Sequence, residues 1–341
     1  MKKLTIILSF LFIAQNAISQ DLGEILKGGA DNGNQILQNY MEPVFVGLGY
    51  SFNSGWYNTG KPHKLLGFDL TVVASGSIVP EDAQFYTFNP ADYDNMGLAA
   101  PENPNSPYTN QMPTIGGPNL PADDIPYFVF NTDDEANKIR VSAPTGLGLD
   151  EAIGFNAVPA VGVQLGIGLI KNTELKLRLF PKTTFGDPGE SITASQFGLG
   201  VMHDVKQWIP GMKNLPFDLS GFFAFSQQSV SAEIGEDSNG DPQSVNLDIS
   251  GTTMQAIISK KLAILTVYGG IGFSTVGSSF AMKGDYEIDG VDPDPINFDY
   301  NTGSLRANIG ARLKLLIFTF HAEYAVQEYN TLTAGFGLSI R

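Results

Sequence analysis

From Val44 to the end of the chain, hydrophobic side chains return at every second position over long stretches. Val44, Val46, Leu48, Tyr50 and Phe52 alternate with Phe45, Gly47, Gly49, Ser51 and Asn53, and Leu66, Phe68, Leu70, Val72 and Ala74 alternate with Gly67, Asp69, Thr71, Val73 and Ser75. The pattern resumes in 161–169 and 175–179, then in runs at about 192–204, 216–226, 245–259 and 262–276, and finally in 305–313, 318–324 and 332–340. A period of two belongs to β-strands with two unlike faces. Ahead of Val44 the period is different. Leu22, Ile25, Leu26, Gly29, Gly33, Ile36, Leu37 and Tyr40 fall on one stripe of a helix expected over 20–42, with Asp21 and Glu24 as a capping pair and Pro43 as its stop.

Two architectures use such strands. A soluble sandwich buries the apolar face, whereas a membrane barrel turns it to lipid and its polar face to a lumen. Strands of about 9 to 15 residues suit a tilted bilayer crossing better than a sandwich. The faces opposite the apolar ones hold Gly, Gln, Asn and mixed charges, as a hydrated lumen needs. The connections are unequal as well: "LIKNTEL", "SKKLA" and "KLLIF" read as tight turns, and 182–191, 227–244 and 279–297 as long polar loops. The expectation is an all-β fold, an antiparallel transmembrane β-barrel of about twelve strands, within a range of roughly 10 to 14. It fills 43–341, with a long Pro-, Asn- and Asp-rich insertion at 78–153 in which "PYFVFN" and "KIRVSA" read as one hairpin.

This assigns faces. Asp69, Gln164, Lys176, Arg178, Arg306, Asn308, Arg312, His321 and Glu323 are expected to face the lumen. Trp56, Tyr57 and His63 lie just outside an alternating strand, where a barrel carries its aromatic girdle, and are expected at the interfacial rim.

Composition narrows the class. Only 16% of residues are charged against 43% hydrophobic, and cysteine is absent, which excludes a disulfide framework, thiolate metal sites and a Cys nucleophile. A net charge of −15 argues against nucleic acid as a partner. Residues 81–153, 227–250 and 281–300 together hold 23 acids against 3 bases, so the acid is concentrated in the expected loops. Two lysines, an apolar run and small residues at Ala17 and Ser19 make 1–19 a cleaved signal peptide, too short for a spanning helix.

Chemistry candidates are sparse. His63, His203 and His321 lack metal-ligand spacing, and no serine stands in a nucleophile motif, so neither an enzyme nor a cofactor is expected. Asp237, Asn239, Asp241 and Asp248 fit positions 1, 3, 5 and 12 of a calcium loop, but Pro242 occupies the position that needs glycine. No metal site is assigned.

The chain resembles the uncharacterised outer-membrane barrel proteins of Bacteroidetes through "NSGWYNTGKPHKLLGFDLT", "TELKLRLFP", "HDVKQWIPGMKNLPFDLS" and "YNTLTAGFGLSIR". More loosely it is similar to the fatty-acid-transporter class, where an N-terminal plug occupies the lumen. The Asn89, Pro90, Ala91 tripeptide matches that class's hatch motif only by chance, because it falls between expected strands rather than in the N-terminal plug. The resemblance implies an outer-membrane location in a Gram-negative bacterium, with the lipid bilayer, the barrel-assembly machinery and a small-molecule ligand as partners. Residues 20–42 would then be a plug, and the barrel a passive conduit for small molecules. The alternative is a sealed structural or interaction barrel acting through acidic outer loops.

Overall fold

The computed structural model describes residues 29–130, 139–150, 154–187, 189–286 and 293–340. The expected signal peptide and the start of the expected helix lie outside these residues. In chain order the strands are β1 (Phe68–Ile78), five short ones, β2 (Phe85–Thr87), β3 (Met96–Ala99), β4 (Gln111–Pro113), β5 (Tyr127–Phe130) and β6 (Ile139–Ser142), and then nine more. These are β7 (Ala157–Leu169), β8 (Thr173–Asp187), β9 (Glu190–Asp204), β10 (Asp218–Glu236), β11 (Pro242–Leu262), β12 (Leu265–Lys283), β13 (Asn297–Leu315), β14 (Phe318–Val326) and β15 (Thr331–Ile340). β1 and β7–β15 close into an antiparallel ring in which each strand pairs with its neighbour in the ring sequence, and β1 closes it against β15. The tight turns form where expected, with positive φ at Lys171 and Asn172, at Ala263 and at Leu316.

Ten ring strands are described, at the lower edge of the expected range. Two differences explain the count. The Val44–Phe52 stretch is not a strand, and the 127–142 hairpin forms but stays outside the ring, in a sheet ordered β3-β5-β6 beside a β2-β4 pair. The insertion thus builds a small subdomain around Phe88, Met112 and Phe128.

The expected loop at 227–244 is largely strand, and strand also covers 279–283 at the start of the one expected at 279–297. β10 to β13 run 19 to 21 residues, about twice a tilted bilayer crossing. Along each of them the alternation keeps its phase but reverses its sense. On β13, Leu305, Ile309 and Leu313 point outward and Arg306, Asn308 and Arg312 inward. Nearer its start, Phe298 is buried inside while Asp299 and Asn301 are exposed. The reversal falls on one level of the ring, through the paired residues Phe225, Thr252, Thr275 and Gly303. Below it, towards the short turns, large apolar side chains cover the outside: Ile271 is 67%, Leu305 77% and Ile309 64% exposed. Such a belt meets lipid, because in water it would form an apolar patch far beyond what soluble chains expose. No described helix is long and apolar enough to cross a membrane.

The helix, α1, spans Ala30–Phe52, running past the expected end at 42 and carrying Pro43 inside it. It lies in the lumen, where Ile36, Leu37, Tyr40, Phe45, Val46 and Tyr50 are all buried. A helix buried on all sides has apolar residues at both parities, and its run 44–52 therefore also fits a strand alternation. At Gly49 a Cβ would collide with Val276 of the wall. The helix enters from the long-connection end: Asn34 bonds the Pro295 carbonyl and the Asn297 N–H, and Asn32 bonds Asp94. The following segment, 53–67, crosses the rest of the lumen to the short-turn end, where β1 starts. We call it the strap.

Candidate functional site

The strap fills the polar half of the lumen, and the inward residues of the wall hold it. Asp69, Gln164, Lys176, Arg178, Arg306, Asn308, Arg312, His321 and Glu323 all have buried side chains on the inner face. Trp56, Tyr57 and His63 are buried with them, between 2% and 4% exposed. This corrects the rim placement. An aromatic residue with a polar neighbour beside a strand reads the same whether its apolar surroundings are lipid or protein. The exposed tryptophan is Trp208, at 65%.

At the end of α1, Arg178 acts as a fork. Its two terminal nitrogens donate to the carbonyls of Phe52 (2.5 Å) and Ser54 (2.7 Å), Nε donates to Gln164 Oε1 (3.2 Å), and the guanidinium lies 3.9 Å from the centre of the Trp56 ring. The last carbonyls of a helix have no intrahelical partner and carry its negative end, so a cation here offsets both. Gln164 returns a bond to the Trp56 carbonyl at 2.9 Å. Opposite, Arg306 donates to Ser54 Oγ (3.0 Å), Gln327 (2.8 Å) and Glu323 (2.8 Å). The Tyr57 hydroxyl lies 3.0 Å from Gln255 Oε1 and 2.9 Å from Asn308 Oδ1.

At the short-turn end the strap is latched by charge. His63 Nδ1 and its backbone N–H both lie 2.9 Å from Glu174 Oε2, and Nε2 lies 3.1 Å from Ser339 Oγ on the last strand. Lys176 bonds the other Glu174 oxygen and stands 3.9 Å from Asp69, which accepts from Thr71 at 2.9 Å. Lys314 donates to the Ser339 carbonyl and hydroxyl at 2.8 and 3.1 Å. Gly168 makes room for this passage, since a Cβ there would overlap the carbonyls of His63 and Lys64. Arg312 and His321 are cross-strand partners nearby, and neither ring nitrogen of His321 has a hydrogen-bond partner among the described residues.

Two chemical readings of the latch can be tested on geometry. His63, Asp69 and Glu174 offer ligand atoms within 4.8 Å of one another, but the Lys176 ammonium already supplies the positive charge that a metal ion would bring between the two carboxylates. Ser339, His63 and Glu174 stand in the order of nucleophile, base and acid. Ser339 is 1% exposed, however, and its hydroxyl also accepts from Lys314. As built, the cluster ties the strap to β8 and β15.

The calcium-loop residues do not converge. Asp237 Oδ1 accepts from the N–H groups of Asn239 (2.9 Å) and Asp241 (2.8 Å) to form the β10–β11 turn, whereas Asp248 sits out on β11 bonded to Ser229. His203 lies apart from the latch, with Nδ1 at 2.9 Å from Thr173 Oγ1 and Nε2 accepting from Trp208 at 2.8 Å. Sequence reasoning missed Glu174, Gln255 and Ser339. Glu174 was within reach, because it shares the inward parity of Lys176 and Arg178 in "ELKLR". Ser339 carries no sequence signal, since only ring closure brings it beside residue 63.

The chain matches a family of unknown function (DUF6588) over residues 1–340 and belongs to that family. No curated protein matches it. Among solved structures it is similar to the translocator domain of the autotransporter NalP from Neisseria meningitidis, at 12% identity over 95% of this chain and 99% of that one, with a TM-score of 0.30. It is also similar to Ail, the attachment invasion locus protein of Yersinia pestis, at 13% identity over 49% and 91% with a TM-score of 0.26. A FadL homologue of Pseudomonas aeruginosa matches at 10% identity over 80% and 89%, with a TM-score of 0.22.

Proposed function

We propose that this member of the DUF6588 family is an integral outer-membrane barrel, exported by its signal peptide and inserted by the barrel-assembly machinery. Its lumen is closed by its own α1 and strap, and it works through its acidic outer layer as a structural or interaction barrel. The observation that carries this reading is the filled lumen. Arg178, Arg306 and Glu174 hold the strap from buried positions, and a cavity between α1, Arg178 and Gln196 measures about 10 Å³, room for about one water. The motif resemblance to Bacteroidetes outer-membrane barrels supports the location.

A passive conduit for small molecules would require α1 and the strap to leave the lumen, which breaks the Arg178, Arg306 and Glu174 anchors together. The test is solute flux into proteoliposomes made with the full chain, alongside gel mobility of unheated and boiled samples. Heat-modifiable barrel with no flux of a small sugar above protein-free vesicles is the expected result. Flux at the level of an open porin would overturn the sealed reading and favour the conduit, and recovery as a soluble monomer without detergent would overturn membrane placement itself.

A further inference from the structure

The connection between β9 and β10, residues 205–217, is the one long connection at the short-turn end among the described residues, and it presents Trp208, Ile209 and Leu215 to the outside at 65%, 39% and 43% exposure. It is not loose. The Lys206 ammonium bonds the carbonyls of Leu215 and Phe217, the Val205 N–H bonds the Leu219 carbonyl at 3.1 Å, and Gln207 bonds the Lys171 carbonyl at 3.0 Å. Trp208 donates its indole N–H to His203 on the outer face of β9, so the part of the ring left exposed is wholly apolar. A fixed apolar ring beside the lipid belt, with its polar handle satisfied within the protein, belongs to a membrane interface.

Charge states which interface. Lys171, Lys213, Lys260 and Lys261 are exposed at this end, and none of them is in an ion pair among the described residues. Of the acids nearby, Asp204 accepts from the Lys206 N–H and Asp218 faces Lys61 at 3.8 Å. The opposite mouth carries the acid of the chain. Resting on the membrane-barrel reading above, we infer that the 205–217 connection and its neighbouring lysines form a docking surface for anionic phospholipid headgroups, with Trp208 as the apolar keel and Lys171 and Lys213 as the headgroup contacts. A lysine held at a lipid surface draws anionic lipid by about fivefold in local concentration.

The chain has two tryptophans, and Trp56 is buried in the lumen, so the difference in fluorescence between the full chain and its Trp208→Phe variant reports Trp208 alone. Both are reconstituted in vesicles that contain either brominated phosphatidylglycerol diluted in plain phosphatidylcholine or the reverse, at the same bromine content. The expected result is quenching of Trp208 in both, stronger by at least about twofold with the brominated anionic lipid, and equalised in a Lys171→Ser, Lys213→Ser double variant. Equal quenching in the unsubstituted chain overturns headgroup recognition. No quenching by either lipid, with the heat-modifiable band intact, overturns the lipid contact and points to an acidic protein partner. Loss of the heat-modifiable band in the unsubstituted chain instead brings down the membrane reading on which the inference rests.

Discussion

The two halves of the ring are built from the same strands and obey opposite rules. In the short-turn half, apolar residues face out and the lumen holds charges; in the other, Val276, Phe280, Met282 and Phe298 pack inward in one cluster with Phe45 of α1 while Ser279, Lys283 and Asp299 face out. No bulge or register shift marks the change on β12 or β13. What changes is the solvent outside. The lower half is turned out towards lipid, and the upper half is built like a water-soluble protein with a helix at its core. A period of two therefore fixes which residues share a face but leaves the sense of that face to the medium around it.

The largest effect should come from unpairing a charge in the polar half. Arg306 and Glu323 are 2.8 Å apart and both almost wholly buried. Arg306→Met leaves Glu323 alone and should cost about 3 to 5 kcal/mol, read from guanidinium unfolding of the heat-modifiable form. Adding Glu323→Leu should recover most of the loss. If the single variant is as stable as the parent, the lumen is wetter than its geometry indicates.

Next in size is a charge placed outward on either side of the reversal. Ile309→Arg lies in the belt and should cost about 2 to 4 kcal/mol in vesicles if it sits near mid-bilayer. Asn301→Arg, outward on the same strand but above the level of Gly303, should stay within about 0.5 kcal/mol. Equal losses at both positions would move the membrane boundary or abolish it.

The smallest effect concerns the upper half, where ordinary aqueous titration applies. The Gly284 N–H and the Lys283 ammonium, 2.7 and 3.0 Å away, hold the Asp294 carboxyl below the usual carboxylate range. A lowered carboxyl contributes stability that is present above its unfolded value and lost as pH falls through the folded one. Protease nicking of the 284–296 connection should thus be unchanged from pH 8 to about 5 and rise only below about pH 4. Asp294→Asn should flatten that rise.

How much of this was legible follows from the same contrast. In the lower half the outward face is uniformly apolar, so the strands, their tight turns and the inward residues Arg306, Asn308 and Arg312 could be read directly. In the upper half the apolar residues move to the inner face, and "DYNTGS" or "SSFAMK" then looks like polar loop. The strap defeated the reading for a different reason. His63, Glu174 and Ser339 come from three distant parts of the chain, and Trp56 resembles a girdle residue until the ring is closed around it.

The strap also constrains how the molecule can be assembled. It enters the lumen from one mouth and becomes β1 at the other, and β1 pairs with the last strand, β15, over ten residues from Phe68↔Ile340 to Ser77↔Thr331. That seam joins the first and last strands of the ring in chain order and carries the greatest loop-closure cost of any pairing in the ring. If it zipped first, α1 would have to be drawn through a finished lumen past the inward side chains that hold it. With α1 and the strap already laid across the open sheet, the seam closes over them, and the His63–Ser339 contact forms only as the last strand arrives. The strap would then be a template around which the wall is wrapped, and its polar face would set the circumference at which the wrapping stops.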